Sequence, residues 1–412
     1  MNKNKKLIPE YRFPEFNNQG EWRYKNGDEL FEPVSNKNHN SDLSILAITQ
    51  EQGAIPREMI DYHVSVTDKS VESYKVVEVG DFIISLRSFQ GGIEYSNYLG
   101  LCSPAYIILR KKIDVVNDFY RFYFKSIPFI RDLNKNLEGI RDGKMVSYKQ
   151  FSEISIPNPE TIEQQKIASC LSSLDEVIAA HVQKLDLLKA HKKGLMQNLF
   201  PQEGETVPKF RFKEFKNDGE WEKDTLVNIA KFRRGSFPQP YGLPEWYDDS
   251  NGMPFIQVFD VDDNFLLKSK TKRKISKLAA KQSVFIPERT VIITIQGSIG
   301  KVAITQFDAY IDRTLLLFEE FYNEIDKVFF AYVLFMLFEI EKEKAPGGII
   351  KTITKEVLSD FIISFPEFKE QQKIAGCLSS LDELITAKAR KIEQLMLHKA
   401  GLMQGLFPKI ID

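Results

Sequence analysis

The sequence predicts an α+β protein: two bodies of mixed strands and helices, related by pseudo-two-fold symmetry and separated by two long antiparallel coiled-coil helices. Three observations predict it. A stretch of 39 residues is written twice. Each copy carries an unbroken heptad seam. Each follows a body of short apolar runs and glycine-rich turns that ends on an aromatic helix.

A short lead-in opens each half. Residues 9–22 read PEYRFPEFNNQGEW and residues 208–221 read PKFRFKEFKNDGEW, at an offset of 199. The bodies follow and have diverged. In the first, 76–81 leads to the buried strand 82–85 and then to Arg87, Ser88, Phe89, Gln90 and two glycines. In the second, 284–289 leads to 291–294 and then to Gln296, Gly297, Ser298, Ile299, Gly300 and Lys301. Side chains of these types can bond base edges, and glycine lets a backbone approach closely. A plain hairpin would explain the glycines equally. Further strands are expected at 104–110 and 310–319, then aromatic core helices at 118–125 and 326–341. A second loop closes each body, with Arg141, Lys144 and Lys149 in the first and Lys351 in the second. Two basic clusters, Arg233 with Arg234 and the run KSKTKRK at 268–274 containing Lys270, Lys272 and Arg273, suit phosphate contact, though basic runs are also ordinary solvated surface.

The repeated segment comes last in each half. Residues 163–201 and 370–408 are identical at 26 of 39 aligned positions, at an offset of 207. Gaps of four and three alternate along Ile167, Leu171, Leu174, Ile178, His181, Leu185, Leu188, Lys192, Leu195 and Leu199, and along Ile374, Leu378, Leu381, Ile385, Lys388, Ile392, Leu395, Lys399, Leu402 and Leu406. That is a heptad seam, and Pro201 and Pro408 end it. Its polar members can fix register or snorkel. About 36 residues give a rod of roughly 54 Å. Beyond the apolar seam both copies keep the polar identities of Glu163, Gln164, Gln165, Lys166, Ser172, Ser173, Asp175, Glu176, His191, Lys192 and Gln197. An equivalent partner on each copy would explain that, and so would simple duplication. Constant helices beside divergent bodies suggest one frame presenting two different readers. The offsets differ by 207 − 199 = 8 residues, which must lie in the second body.

Composition sets the bounds. Lys plus Arg is 56 and Asp plus Glu is 57 over 412 residues, so any nucleic-acid surface must be local. Three cysteines make no disulfide framework. The polar start and a longest apolar run of 11 residues lead to the expectation of a soluble, cytoplasmic protein. No phosphate-binding loop, GxGxxG or methyltransferase motif is present, and five histidines form no metal-ligand spacing. The expected protein is a reader and scaffold without catalytic or metal residues.

The repeated EQQKIAxCLSSLDE segments at 163–176 and 370–383, the endings GLMQNLFP and GLMQGLFP, and the two lead-ins together resemble the specificity subunit of type I restriction-modification enzymes. The resemblance spans the whole chain. It implies a first target recognition domain at 1–160, a central conserved helix at 161–201, a second recognition domain at 202–367 and a C-terminal conserved helix at 368–412. It implies that each domain reads one half of a bipartite double-stranded DNA target. The helices would set the spacing and dock two modification (methyltransferase) subunits, and two restriction (translocase/nuclease) subunits can join. No cofactor is expected on this chain; S-adenosylmethionine, ATP and Mg would sit on the partners. A methylation-only complex and a DNA-independent coiled-coil scaffold are the alternatives.

Overall fold

The computed structural model describes residues 8–40, 42–60, 71–135, 146–262, 264–344 and 353–408. The chain divides into two compact units, residues 1–183 with 390–412, and residues 184–389. This differs from the four consecutive segments of the sequence reading. The physical reason is that each long helix buries its two ends in different cores.

In unit one, β2 (Phe31–Val34), β6 (Phe82–Ile84), β7 (Glu94–Tyr95) and β9 (Ile107–Lys111) form a four-stranded antiparallel sheet in the order β2-β9-β6-β7. The expected strand after residue 81 is β6, and all three of its residues are buried. Around it lie the pairs β3 (Leu46–Thr49) with β4 (Gly53–Pro56), and β5 (Lys75–Val77) with β8 (Gly100–Cys102). The pair β1 (Arg23–Asn26) with β10 (Ser155–Asn158) brings both ends of the body together. The aromatic helix Asn117–Tyr123 packs beneath the sheet. Phe31 meets Phe82, Tyr120 and Phe124 at ring centroids 5.2–5.5 Å apart, mostly edge-on, as aromatic quadrupoles prefer.

Unit two repeats the frame. The sheet of β12 (Ala230–Arg234), β16 (Val291–Thr294), β17 (Val302–Ile304) and β19 (Leu315–Phe321) has the order β12-β19-β16-β17. A second sheet, β14-β13-β18-β15, contains β13 (Met253–Ile256), β14 (Arg273–Ile275), β15 (Val284–Ile286) and β18 (Ala309–Ile311). β11 (Glu222–Thr225) pairs with β20 (Ile362–Phe365). The single strand expected over 310–319 is two strands, β18 and β19. Asp312 breaks it, accepting from the Thr314 amide at 2.9 Å and hydroxyl at 2.5 Å, a local side-chain turn that competes with the ladder.

The long helices, Thr161–Leu199 and Phe368–Leu406, are 39 residues each. All ten seam positions in each are buried or half-buried. In unit one, Ile167, Ala168 and Leu171 share a core with Leu402, Met403, Leu406 and Phe407, while Asp175, further along, meets Lys399. Advancing along one helix thus retreats along the other, which makes the segments antiparallel. Unit two does the same: Ile374, Ala375 and Leu378 share a core with Leu195, Met196, Leu199 and Phe200, and Asp382 meets Lys192.

The lead-ins fasten each helix start. The Arg12 guanidinium forks onto both oxygens of Glu163 at 2.8 Å, and Arg211 onto Glu370 at 2.9 and 2.7 Å. Gln164 accepts from the Val116 amide and Gln371 from the Asp326 amide. In unit one the Tyr11 amide also bonds the Gly405 carbonyl at 2.8 Å, and a Cβ on Gly405 would meet the Tyr11 ring at 2.1 Å, so any larger residue there must displace that ring.

The length difference resolves into two events. Leu30 accepts from Lys112, and Ile229, at an offset of 199, accepts from Tyr322 in the same place. The parallel bridges Ile45↔Leu101 and Phe255↔Tyr310 put the next strand at an offset of 210, Ile45 to Phe255, with their partners Leu101 and Tyr310 standing 209 apart. Eleven extra residues (210 − 199) therefore lie in segment 235–252. Three are recovered later: Val116 and Asp326 stand 210 apart, while the capping residues Ser147 and Thr354 stand 207 apart.

Candidate nucleic-acid interface

Each body has a polar pocket at the same junction of its frame. In unit one a cavity of about 580 Å³ opens between the turn after β3, the segment after β6 and Tyr106, the residue before β9. Thr49, Gln50, Gln52 and Arg87 line it. In unit two a cavity of about 310 Å³ opens between the residues after β13 and those before β19, lined by Gln257, Phe259, Asp312, Arg313 and Thr314. Tyr241, from the eleven-residue insertion, supplies a further wall. Register fixes the equivalence at an offset of 209: Ile84 stands opposite Ile107 as Ile293 stands opposite Leu316.

The first pocket is braced from beneath. Lys125 Nζ donates to the Gln50 carbonyl at 3.2 Å, the Gly91 carbonyl at 3.0 Å and Glu94 Oε2 at 2.6 Å. The Gln50 amide donates to the Arg87 carbonyl at 3.3 Å. Both walls are thus tied to one ammonium. Glu94 is 1% exposed, and burial pushes its carboxyl pKa up against the opposing pull of Lys125. Arg87 is exposed, and its guanidinium has no ion-pair partner among the described residues. The second pocket is braced differently. Buried Asp312 accepts from the Tyr241 hydroxyl at 2.7 Å, and the Gln257 amide donates to the same hydroxyl at 2.5 Å. Burial, then Asp312, raises the Tyr241 pKa, so the phenol stays a neutral donor. The Arg313 guanidinium lies 5.8 Å from the Tyr241 ring centroid.

Sequence candidates fall into several places. Arg87 lines the first pocket and Gln90 is exposed beyond it. Ser88 is buried, its hydroxyl accepting from the Ser85 amide at 2.8 Å; it shapes the turn and does not face outward, a correction to its reading as a contact. Gln296 is half-buried and Ser298 exposed. The Lys301 amide donates to the Thr294 hydroxyl, so its backbone closes the glycine loop. Lys149, Arg234, Lys270 and Lys272 are exposed. Arg233 lies 3.7 Å from Glu319. Arg273 is half-committed to the fold: it stacks 3.8 Å above the Tyr247 ring and lies 3.3 Å from Asp249. Arg141, Lys144 and Lys351 lie outside the described residues.

The retained helix polarity also divides. Glu163, Gln164, Asp175 and Lys192 are used internally, and Lys166 pairs with Glu15 at 3.0 Å, so internal bonding rather than a partner accounts for these identities. Gln165, Ser173 and Glu176, and their counterparts Gln372, Ser380 and Glu383, remain exposed. Spaced by eight and three, they share one helix face. Val177 and Leu384 beside them are 45% and 55% exposed. Thr49, Gln50, Tyr106, Tyr241, Gln257 and Arg313 were not found from sequence, since they sit singly at strand ends and only the fold gathers them.

Comparison with known proteins adds the following. A family model described as the type I restriction modification DNA specificity domain matches residues 21–190 and 218–397. The chain is 24% identical over 415 residues to the putative type I restriction enzyme MjaX specificity subunit of Methanocaldococcus jannaschii, covering 94% of this chain and 92% of that one. It is 27% identical over 370 residues to the MjaVIII specificity subunit of the same organism, covering 83% and 81%. Among solved structures, the S subunit of a type I restriction-modification system from M. genitalium superposes with a TM-score of 0.59 at 16% identity, covering 98% of this chain and 100% of that one.

Proposed function

The chain belongs to the type I restriction-modification DNA specificity family, and from that premise we propose that its two bodies are target recognition domains, each reading one half of a bipartite duplex sequence. One observation carries this reading. The frame and the helices are repeated, while the pocket at the same place in each frame is lined by different side chains. A common scaffold with two chemically distinct mouths is what two different half-sites require. The long helices hold the readers at a fixed separation and dock two modification subunits, and the exposed Gln165–Ser173–Glu176 face and its counterpart are the docking strips. Two restriction subunits can join the same assembly. S-adenosylmethionine stays with the modification subunits, and ATP and Mg with the restriction subunits; this chain supplies recognition in the cytoplasm and no catalysis.

The test is exchange of residues 23–156 for the recognition domain of another family member, followed by mapping of methylated adenines in cells carrying the modification subunit. One half of the target should change and the other persist. A change in both halves, or in neither, defeats the modular reading.

A further inference from the structure

The two pockets present one arginine each, from opposite walls. Arg87 follows β6, at the position that the offset of 209 gives to Gln296 in the second body. Arg313 precedes β19, at the position that the same offset of 209 gives to Pro104 in the first. So each body lacks the other's arginine. Both side chains are exposed at the mouth of a cavity whose remaining polar lining mixes amides and hydroxyls with one carboxylate: Thr49, Gln52 and Glu51 in one, Gln257, Thr314 and Asp312 in the other.

The supports beneath each arginine differ in kind. The backbone of Arg87 is held by Gln50 and, through Gln50, by the half-buried Lys125. Arg313 follows directly on buried Asp312, whose carboxylate is occupied by Tyr241 and Thr314. In both cases hydrogen bonds fix the segment and leave the guanidinium fork available. A fixed fork with five donors and no acceptor matches the paired O6 and N7 acceptors of guanine, and only guanine presents that pair in the major groove. A phosphate would satisfy the same charge. However, phosphate contact favours clustered cations such as the run 268–274, whereas each of these arginines stands singly among amides, hydroxyls and a carboxylate (Glu51 or Asp312), a mixture that discriminates base edges and disfavours phosphate.

We infer that Arg87 and Arg313 are specificity-determining residues, each reading one guanine in the half-site of its own body, with Gln52, or Gln257, contacting the neighbouring base edge. The inference rests on the reading proposed above. Because the arginines project from opposite walls, the guanine occupies a different position within each half-site.

The experiment uses the full chain assembled with its modification subunits and maps methylated adenines for the parent and for Arg87→Ala, Arg87→Lys, Arg313→Ala and Arg313→Lys. Arg87→Ala should relax one guanine position in the first body's half-site by about ten-fold or more, leaving the second half-site and the melting temperature unchanged. Arg313→Ala should do the converse. The lysine variants keep the charge but lose the fork, so they should relax the same position partially. Relaxation confined to one position supports the assignment. Uniform loss of methylation, restored by lysine, marks a phosphate contact and overturns it, as does an unchanged target. A parent complex that methylates no bipartite site overturns the proposed function itself, a result distinct from an unchanged variant of a parent that does.

Discussion

Lys192 Nζ lies 2.6 Å from Asp382 Oδ1, and the residues 207 positions away repeat the contact with the helices exchanged: Lys399 Nζ lies 2.5 Å from Asp175 Oδ1. The first pair is only 18% and 15% exposed. Tyr332 donates to the other oxygen of Asp382 at 2.5 Å, while Phe122, the counterpart of Tyr332, offers Lys399 an aromatic face at 5.2 Å. The polar seam positions therefore fix register. A one-turn slip would strand a carboxylate and an ammonium in a largely desolvated seam.

Lys192→Met should cost about 2–3 kcal/mol, because it leaves the Asp382 charge without its cation. Lys192→Met with Asp382→Leu should recover much of that loss. Urea denaturation of the two single variants and the double variant checks it; additive losses would mean that the pair is not coupled.

Lys125→Met removes the cation from buried Glu94 and should destabilise unit one by about 3–5 kcal/mol at neutral pH. Glu94 has its native pKa raised by burial. Between the ordinary and the raised value the folded state binds more protons than the unfolded one, so stability falls as pH rises through that window. The Lys125→Met defect should therefore shrink on acidification toward the ordinary carboxylate range, and adding Glu94→Gln should abolish that pH dependence. In unit two, register places buried Ala303 where Glu94 stands, since Ile292↔Ala303 repeats Ile83↔Glu94. An apolar solution to the same site exists within the chain, so Glu94→Ala with Lys125→Met should fold.

Lys270→Ala and Lys272→Ala should each weaken binding equally for target and scrambled duplexes and lower the salt slope by about one unit. Arg273→Ala should in addition lower the melting temperature, since its guanidinium stacks on Tyr247. Affinities at several salt concentrations, with thermal melts of the free protein, separate the two effects.

Glu176→Lys together with Glu383→Lys should abolish co-purification with the modification subunits without changing the melting temperature, because both side chains are exposed. Retained assembly would move the docking site away from this face.

Four residues inserted after both Gln183 and Ala389, where the helices pass from one compact unit to the other, preserve the Lys192–Asp382 and Lys399–Asp175 pairs. Four residues add at most about 6 Å of helix, so the preferred non-specific spacer should lengthen by about one or two base pairs, at ~3.4 Å each. Selection from a library of randomised spacer lengths reads this directly.

The seam was legible because a period of 3.5 survives any local environment, and all twenty seam residues took the burial it implies. The frame was legible where apolar runs were short and bounded by glycine, as at β6 and β16. The strand break at Asp312 was not, because a side-chain turn leaves no mark in hydropathy. Glu163 and Gln164 were misread for a related reason. Their identity in both copies looked like a shared external partner, yet the partners are Arg12 and Val116, distant in sequence and brought close by the fold. The pocket residues carried no signal, since Thr49 and Tyr106 are unremarkable until β3 and β9 converge. Only the net length difference could be computed in advance; that it was eleven gained and three lost required the strand register.

Residues 390–407 complete unit one: Leu402, Met403, Leu406 and Phe407 pack in the core that Trp22, Phe119 and Tyr123 begin. Unit two is a single continuous stretch. On the ribosome the order of synthesis and the order of completion are therefore reversed. The half that emerges first keeps its aromatic floor uncovered through some two hundred further residues of translation, and closes only when the last helix leaves the exit tunnel. Any premature stop before that point leaves the first-made half unsealed, with the apolar surface that chaperones and proteases recognise.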